Sequence, residues 1–140
     1  MNPHQITLIE QAWSQLAPKA EAVGAAFYDH LFALDPSLRR LFRGERQEQA
    51  RKLMQMLGAA IGLLRRPQQL GPVLQQLGVR HAGYGVQDAH YATVGQALID
   101  TLQEGLGDAF DAGQRAAWTA LYTAVSGAMQ DAAREQRAAA

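Results

Sequence analysis

The sequence predicts a single all-α domain. Three observations carry that expectation. Apolar residues recur at steps of three and four along nearly the whole chain, helix-start and helix-stop residues fall between those stripes, and neither an alternating strand pattern nor a hairpin turn signal occurs. The first helix runs from about Pro3 to Leu16: Asn2 can cap it, Gln5 lies three positions on, and Pro3 suits a first turn whose N–H groups lack partners. A second begins near Pro18 and stops at Asp35-Pro36, with Gly24, Tyr28 and Leu31 on one face beside Val23 and Phe27. Asp35 and Pro36 open a short helix, "DPSLRRLF", that ends at Phe42. After the polar "RGERQE" a long helix aligns Gln49, Leu53, Leu57, Ala60 and Leu64 before it meets Pro67. Leu70, Leu74, Leu77 and His81 form the next stripe, closed by Gly83 and Gly85 because glycine accepts the left-handed conformation of a helix end. Tyr91, Val94, Leu98 and Leu102 align from about Asp88, and Trp118, Leu121, Val125, Ala128, Ala132 and Glu135 from about Asp111. The expected architecture is seven or so helices of unequal length in one domain over residues 1–140, with a compositionally loose tail from about 136.

Composition narrows the function classes. The 140 residues are 48% apolar and 19% charged, which are globular values, and 13 basic residues balance 13 acidic ones. No overall field therefore recruits nucleic acid or an acidic membrane. With no cysteine, disulfides, thiolate metal sites, iron–sulfur clusters and cysteine nucleophiles are excluded. The amino terminus lacks a basic segment followed by an apolar run, and no stretch approaches the roughly 18 to 20 apolar residues of a membrane span. A cytoplasmic location is the resulting expectation.

Polar side chains interrupt the apolar stripes at Tyr28, Gln49, His81 and Tyr91, and Glu135 does so on the last helix. Burying a polar group without a partner costs roughly 1 to 3 kcal/mol, so something must satisfy several of them. His81 reads as a core histidine bonded to a carbonyl, as a general base, or as a metal ligand. The other histidines are His4, His30 and His90, none of which pairs with another at helical ligand spacing. A metal at His81 would have to bring its remaining ligands with it. Haem does so, since the porphyrin supplies four nitrogens and the protein need offer only one axial imidazole.

Separated landmarks then resemble the globins, most closely the bacterial flavohaemoglobins and the single-domain haemoglobins related to them. Phe42 after "RRL", Gln49 and Leu53 in "EQARKLMQML" and His81 in "VRHAGYGV" carry the resemblance, with neuroglobin-like similarity in "RHAGYGV" and "TVGQAL". The resemblance covers the chain to about Arg134. It implies haem b, with His81 as the proximal iron ligand and Phe42 wedged against the macrocycle. Tyr28 matches a tyrosine that donates a hydrogen bond to bound dioxygen, and Gln49 replaces the distal histidine common in animal globins, which removes bis-histidine coordination of the neuroglobin kind. Tyr91 and Glu135 match residues that form a hydrogen-bonded network around the proximal histidine and make it more basic. Leu53, Leu57, Leu77, Val86, Val94 and Leu98 would line the apolar slot, and Lys52 and Arg80 match basic positions that reach the propionates. The implied activity is reversible O₂ binding, with conversion of NO to nitrate given a separate reductase. The alternatives are O₂ storage or delivery without catalysis, gas sensing, and a haem-free helical domain. Oligomeric state is not fixed by these residues. Gly24 reads as a close helix crossing, with Gly58 and Ala59 as candidates on the other side.

Overall fold

The computed structural model describes residues 1–139. α1 (Pro3–Leu16) starts where its capping residues place it: the Asn2 side chain accepts from the Gln5 N–H at 2.8 Å and the Gln5 side chain accepts from the Asn2 N–H at 3.2 Å. A 3₁₀ turn over Ala17–Lys19 leads into α2 (Ala20–Leu34), so α2 begins two residues beyond the expected Pro18. Asp35 caps the following segment by accepting from the Ser37 N–H at 3.1 Å, but Pro36–Leu41 winds as a 3₁₀ helix rather than an α-helix. Six residues are too few for the two periods to separate in a hydrophobic pattern. Then come α3 (Arg46–Gly62), α4 (Pro67–Gly83), α5 (Asp88–Leu106), a 3₁₀ turn at Gly107–Ala109, and α6 (Ala112–Ala139). The described residues contain six α-helices and no strand. α6 runs on as helix through the segment whose composition suggested a loose end.

The main core forms where α1, α5, α6 and the end of α3 meet, around Ile9, Leu16, Ile61, Leu102 and the fully buried Trp118. Its polar atoms are accounted for. The Trp118 indole donates to the Gln114 side-chain oxygen at 3.2 Å, and the Gln114 amide donates to the Leu8 carbonyl at 2.9 Å, which ties α6 to α1.

Two further clusters stand apart from it. One gathers Phe27, Tyr28, Leu31 and Phe32 of α2 with Leu38, Ala50 of α3 and Ala97 of α5. The other gathers Leu74 and Leu77 of α4 with Tyr91 of α5 and Met129 of α6. α3 packs on α2 and α4 packs on α6, whereas α3 and α4 are not among the closely packed helix pairs. The fold thus holds these two helices on separate supports, with α5 contributing to both clusters.

The α2–α3 crossing is as close as Gly24 suggests, but its partner differs from the expectation. A Cβ at Gly24 would lie 2.9 Å from both the Cβ and the carbonyl oxygen of Ala50. Gly58 faces α1 instead, where its Cβ would meet the Trp13 ring at 3.0 Å. Replacing Gly24 by leucine would add about 0.8 kcal/mol of helix propensity, against an overpacking cost of roughly 1 to 3 kcal/mol or more. The expected outcome is a lower denaturant midpoint and reduced haem retention; a variant with the wild-type midpoint and full haem content would refute the close crossing.

Candidate functional site

His81 lies in the last turn of α4, half-buried. Its Nδ1 sits 2.7 Å from the Leu77 carbonyl oxygen. A carbonyl oxygen can only accept, so Nδ1 carries the proton and the Nε2 lone pair of the neutral ring is left for a ligand. Burial lowers the His81 pKa below its ordinary value, with the Leu77 bond opposing in part, which favours the neutral ring. The chain beyond α4 is folded back onto the same residue: the His81 carbonyl accepts from the Tyr84 N–H at 3.1 Å and the Val86 N–H at 3.0 Å. Gly85, at φ +89°, makes that reversal without strain.

Tyr28 is buried on α2 in an aromatic group. Its ring meets Phe27 and Phe42 edge-on, each at 5.2 Å, and stacks on Phe32 at 5.8 Å. The hydroxyl bonds to no protein group, yet no fully enclosed polar side-chain atom among the described residues lacks a partner. The phenol oxygen therefore keeps access to open space, although the residue is only 4% exposed. Burial pushes the phenol up to about 12, so the O–H stays protonated and able to donate at neutral pH.

The apolar residues expected to line a slot divide among the three clusters. Phe42, Leu53, Val94 and Leu98 pack at the edge of the Tyr28 cluster, Val86 packs at the edge of the Leu77 cluster, and each is only partly buried. Leu57 packs against the main core, while Leu77 is buried. Half-buried apolar side chains from α3, α5 and the flanking loops are suited to a flat apolar ligand.

Other expected residues are arranged differently. The Gln49 amide donates to the Arg43 carbonyl at 2.5 Å, so the side chain is turned onto the loop before α3. Tyr91 is buried against Leu77, and its backbone carbonyl accepts from the Tyr122 hydroxyl at 2.5 Å, but neither Tyr91 nor Glu135 bonds to His81. Glu135 is exposed and borders a shallow groove of about 460 Å³ with Pro72 and Gln75. The Nδ1–H of His81 goes to the Leu77 carbonyl rather than to a carboxylate or phenol. Lys52 and Arg80 are exposed on α3 and α4.

Three contributors escaped the sequence reading. Phe32, four residues after Tyr28, was legible as a same-face neighbour. Gly78 was signalled by a glycine on the His81 face of α4, where its Cβ would strike the backbone of Met129. Tyr122 carried no polar anomaly that distinguished it from a core tyrosine.

No group of three or more His, Asp or Glu side chains able to hold a metal occurs among the described residues. His30 is engaged by Glu104 at 2.9 Å, and His90 Nδ1 accepts the Gln87 N–H at 2.9 Å at the start of α5. One imidazole with a free Nε2, partly buried apolar side chains and an unbonded phenol fit a ligand that encloses its own metal. The fold and site define the class of helical haem-binding proteins.

The chain belongs to the globin family, whose members bind haem: the family model described as Globin matches residues 25–129. It is 34% identical over 136 residues to a neuroglobin of Dissostichus mawsoni, covering 87% of this chain and 86% of the relative. It is 28% identical over 133 residues to a flavohemoprotein of Xylella fastidiosa, where the match covers 93% of this chain but only 33% of the longer relative. Among solved structures, a hexacoordinated heme protein from an anhydrobiotic tardigrade superposes with TM-score 0.87 at 16% identity, covering 96% of each chain. A hexa-coordinate hemoglobin of Drosophila melanogaster gives 0.84 at 20% identity, covering 92% of this chain and 93% of that one. At those identities the two structures speak to the fold alone. Among the described residues, no helix is long and apolar enough to cross a membrane.

Proposed function

We propose that the protein is a haem b globin that binds O₂ reversibly and releases it slowly. The observation that carries this reading is the protonated hydroxyl of the buried Tyr28, which bonds to no protein group and keeps access to open space. The haem supplies an iron centre that takes diatomic gases. The chain's own residues do the rest. His81 offers Nε2 while Leu77 holds its Nδ1–H, which fixes both tautomer and ring orientation. Phe42 and Phe32 pack against the Tyr28 ring and limit the directions in which its O–H can point. Half-buried Leu53, Val94 and Leu98 exclude water, which strengthens a hydrogen bond to a gas that carries partial negative charge. α3 contains no histidine, so an imidazole from that helix is not available to compete with the gas.

The test is Tyr28→Phe in the haem-loaded protein. A hydrogen bond to a charged acceptor is worth about 1.5 to 3 kcal/mol, which corresponds to O₂ dissociation faster by roughly 10- to 150-fold, with CO release changed far less. O₂ release unchanged within twofold would remove the distal assignment. A low-spin ferrous spectrum before gas is added would show an internal side chain at the sixth position and overturn the open-site reading.

A second reading, NO conversion to nitrate, is favoured by Tyr28 together with the match to a flavohemoprotein. Each NO then takes both atoms of one O₂ and one electron to become nitrate. The exposed Glu135 gives this reading no support on the proximal side, so it rests on the distal tyrosine and an external donor. Its check is steady-state NO consumption with an added reductase; a single turnover that stops in the ferric state with every donor tried would eliminate it.

A further inference from the structure

The net charge of zero conceals a strong local asymmetry. Six of the thirteen basic residues, Arg39, Arg40, Arg43, Arg46, Arg51 and Lys52, fall within fourteen positions, opposed there only by Glu45 and Glu48. Seven basic and eleven acidic residues remain for the rest of the chain. The structure draws part of this segment together around one ring: the guanidinium of Arg39 lies 4.9 Å and that of Arg46 5.7 Å from the Phe32 centroid. Arg46 also pairs with Asp29, and Arg51 with Glu48 at 2.5 Å, whereas Arg39, Arg40 and Arg43 form no ion pair among the described residues. Phe32 in turn packs on Phe42 at 5.7 Å and on Tyr28 at 5.8 Å. The positive surface thus lies over the aromatic wall of the candidate site, with the Phe32 ring between it and Tyr28.

We propose that the Arg39–Arg46 surface docks an acidic electron-carrier protein, a reduced flavoprotein or iron–sulfur protein with a negative face around its cofactor. The inference rests on the reading of the site as haem that needs an external reductant. Charge complementarity steers such encounters and fixes their orientation, and transient redox complexes use small polar interfaces of this kind. The carrier leaves oxidised by one electron and the site reduced by one. An anionic membrane is the weaker match, since the large exposed apolar side chains Leu34, Met56 and Tyr84 stand singly on separate parts of the chain, and interfacial binding needs a continuous apolar face to insert.

The experiment uses haem-loaded protein titrated with an acidic plant-type ferredoxin and an acidic flavodoxin at low and physiological ionic strength. Arg40→Glu/Arg43→Glu is compared with Arg137→Glu on α6. The expected result is saturable binding that weakens with salt and falls by about tenfold or more in the double variant but not in Arg137→Glu. An unchanged Soret spectrum in both variants separates this outcome from failure of the haem reading, which would appear as loss of the spectrum. No saturable binding to either carrier, binding unaffected by the double reversal, or stronger association with phosphatidylserine vesicles than with both carriers would overturn the proposal.

Discussion

His81→Gly is expected to lose haem. His81 is the one histidine in α4, and its Nδ1–H is already committed to the Leu77 carbonyl at 2.7 Å, so Nε2 is the atom that could hold iron. Removing a residue that merely orients a metal ligand typically costs 10- to 100-fold in affinity, and removing the ligand itself should cost at least about 100-fold. Purified His81→Gly should carry little haem, and millimolar imidazole should restore both occupancy and the Soret band by filling the space of the missing ring. Wild-type haem occupancy without imidazole would place the ligand elsewhere.

Acid should act on the same atom. A proton on Nε2 competes with iron, and burial holds the His81 pKa below its ordinary value, so ligand competence persists through neutral pH and is lost only on the acid side. In the haem-free protein the linkage has the same direction. Between the depressed folded pKa and the ordinary imidazole value of about 6.5, the unfolded chain binds the extra proton. The contribution of His81 to stability is therefore complete above that ordinary value and declines as pH falls through it toward the folded pKa. Apo His81→Gly should show a flatter stability profile over this range.

Much of this site was legible in the sequence because its chemistry breaks a pattern. His81 and Tyr28 stand on stripes otherwise filled by leucine, phenylalanine, valine and glycine, and a polar group on a buried face must have a reason. Gln49 broke its stripe in the same way, yet its amide turned to Arg43, because a stripe gives the face of a residue and not its side-chain torsions. Glu135 shows the complementary case: register on α6 is read easily, but Glu135 stands beside Pro72 and Gln75 in the first half of α4 while His81 lies in its last turn, and that placement along the neighbouring helix is a tertiary matter. The basic surface beside Phe32 was invisible to a net charge of zero. Caps fared best, since Asn2 and Asp35 act on residues within three positions and need no tertiary partner.

Gly78→Ala should be the most damaging single-methyl change in the molecule. Along α4 the glycine occupies the face that meets α6, and an added Cβ would run into the Met129 carbonyl oxygen and lie 2.8 Å from that residue's carbonyl carbon and Cα. The obstacle is helix backbone, which has no alternative rotamer, so α4 itself must move outward. Helix propensity favours alanine by about 0.8 to 1 kcal/mol, and a backbone clash of this kind should exceed it, with a net loss of about 3 kcal/mol or more. With a urea m-value of roughly 1 to 3 kcal/mol/M, the midpoint should fall by about 1 to 3 M. The displacement also has a functional reading, because the adjacent Leu77 both packs in the cluster with Met129 and holds His81 through its carbonyl. Haem should therefore exchange faster in Gly78→Ala even under conditions where the variant is folded. Gly127→Ala on α6 provides the opposite sign: a Cβ there meets nothing within 4 Å, so the same substitution should stabilise by about 0.5 to 1 kcal/mol. Equal stabilisation by both substitutions would mean that α4 and α6 do not approach closely at Gly78, and the support assigned to His81 would have to come from elsewhere in the fold.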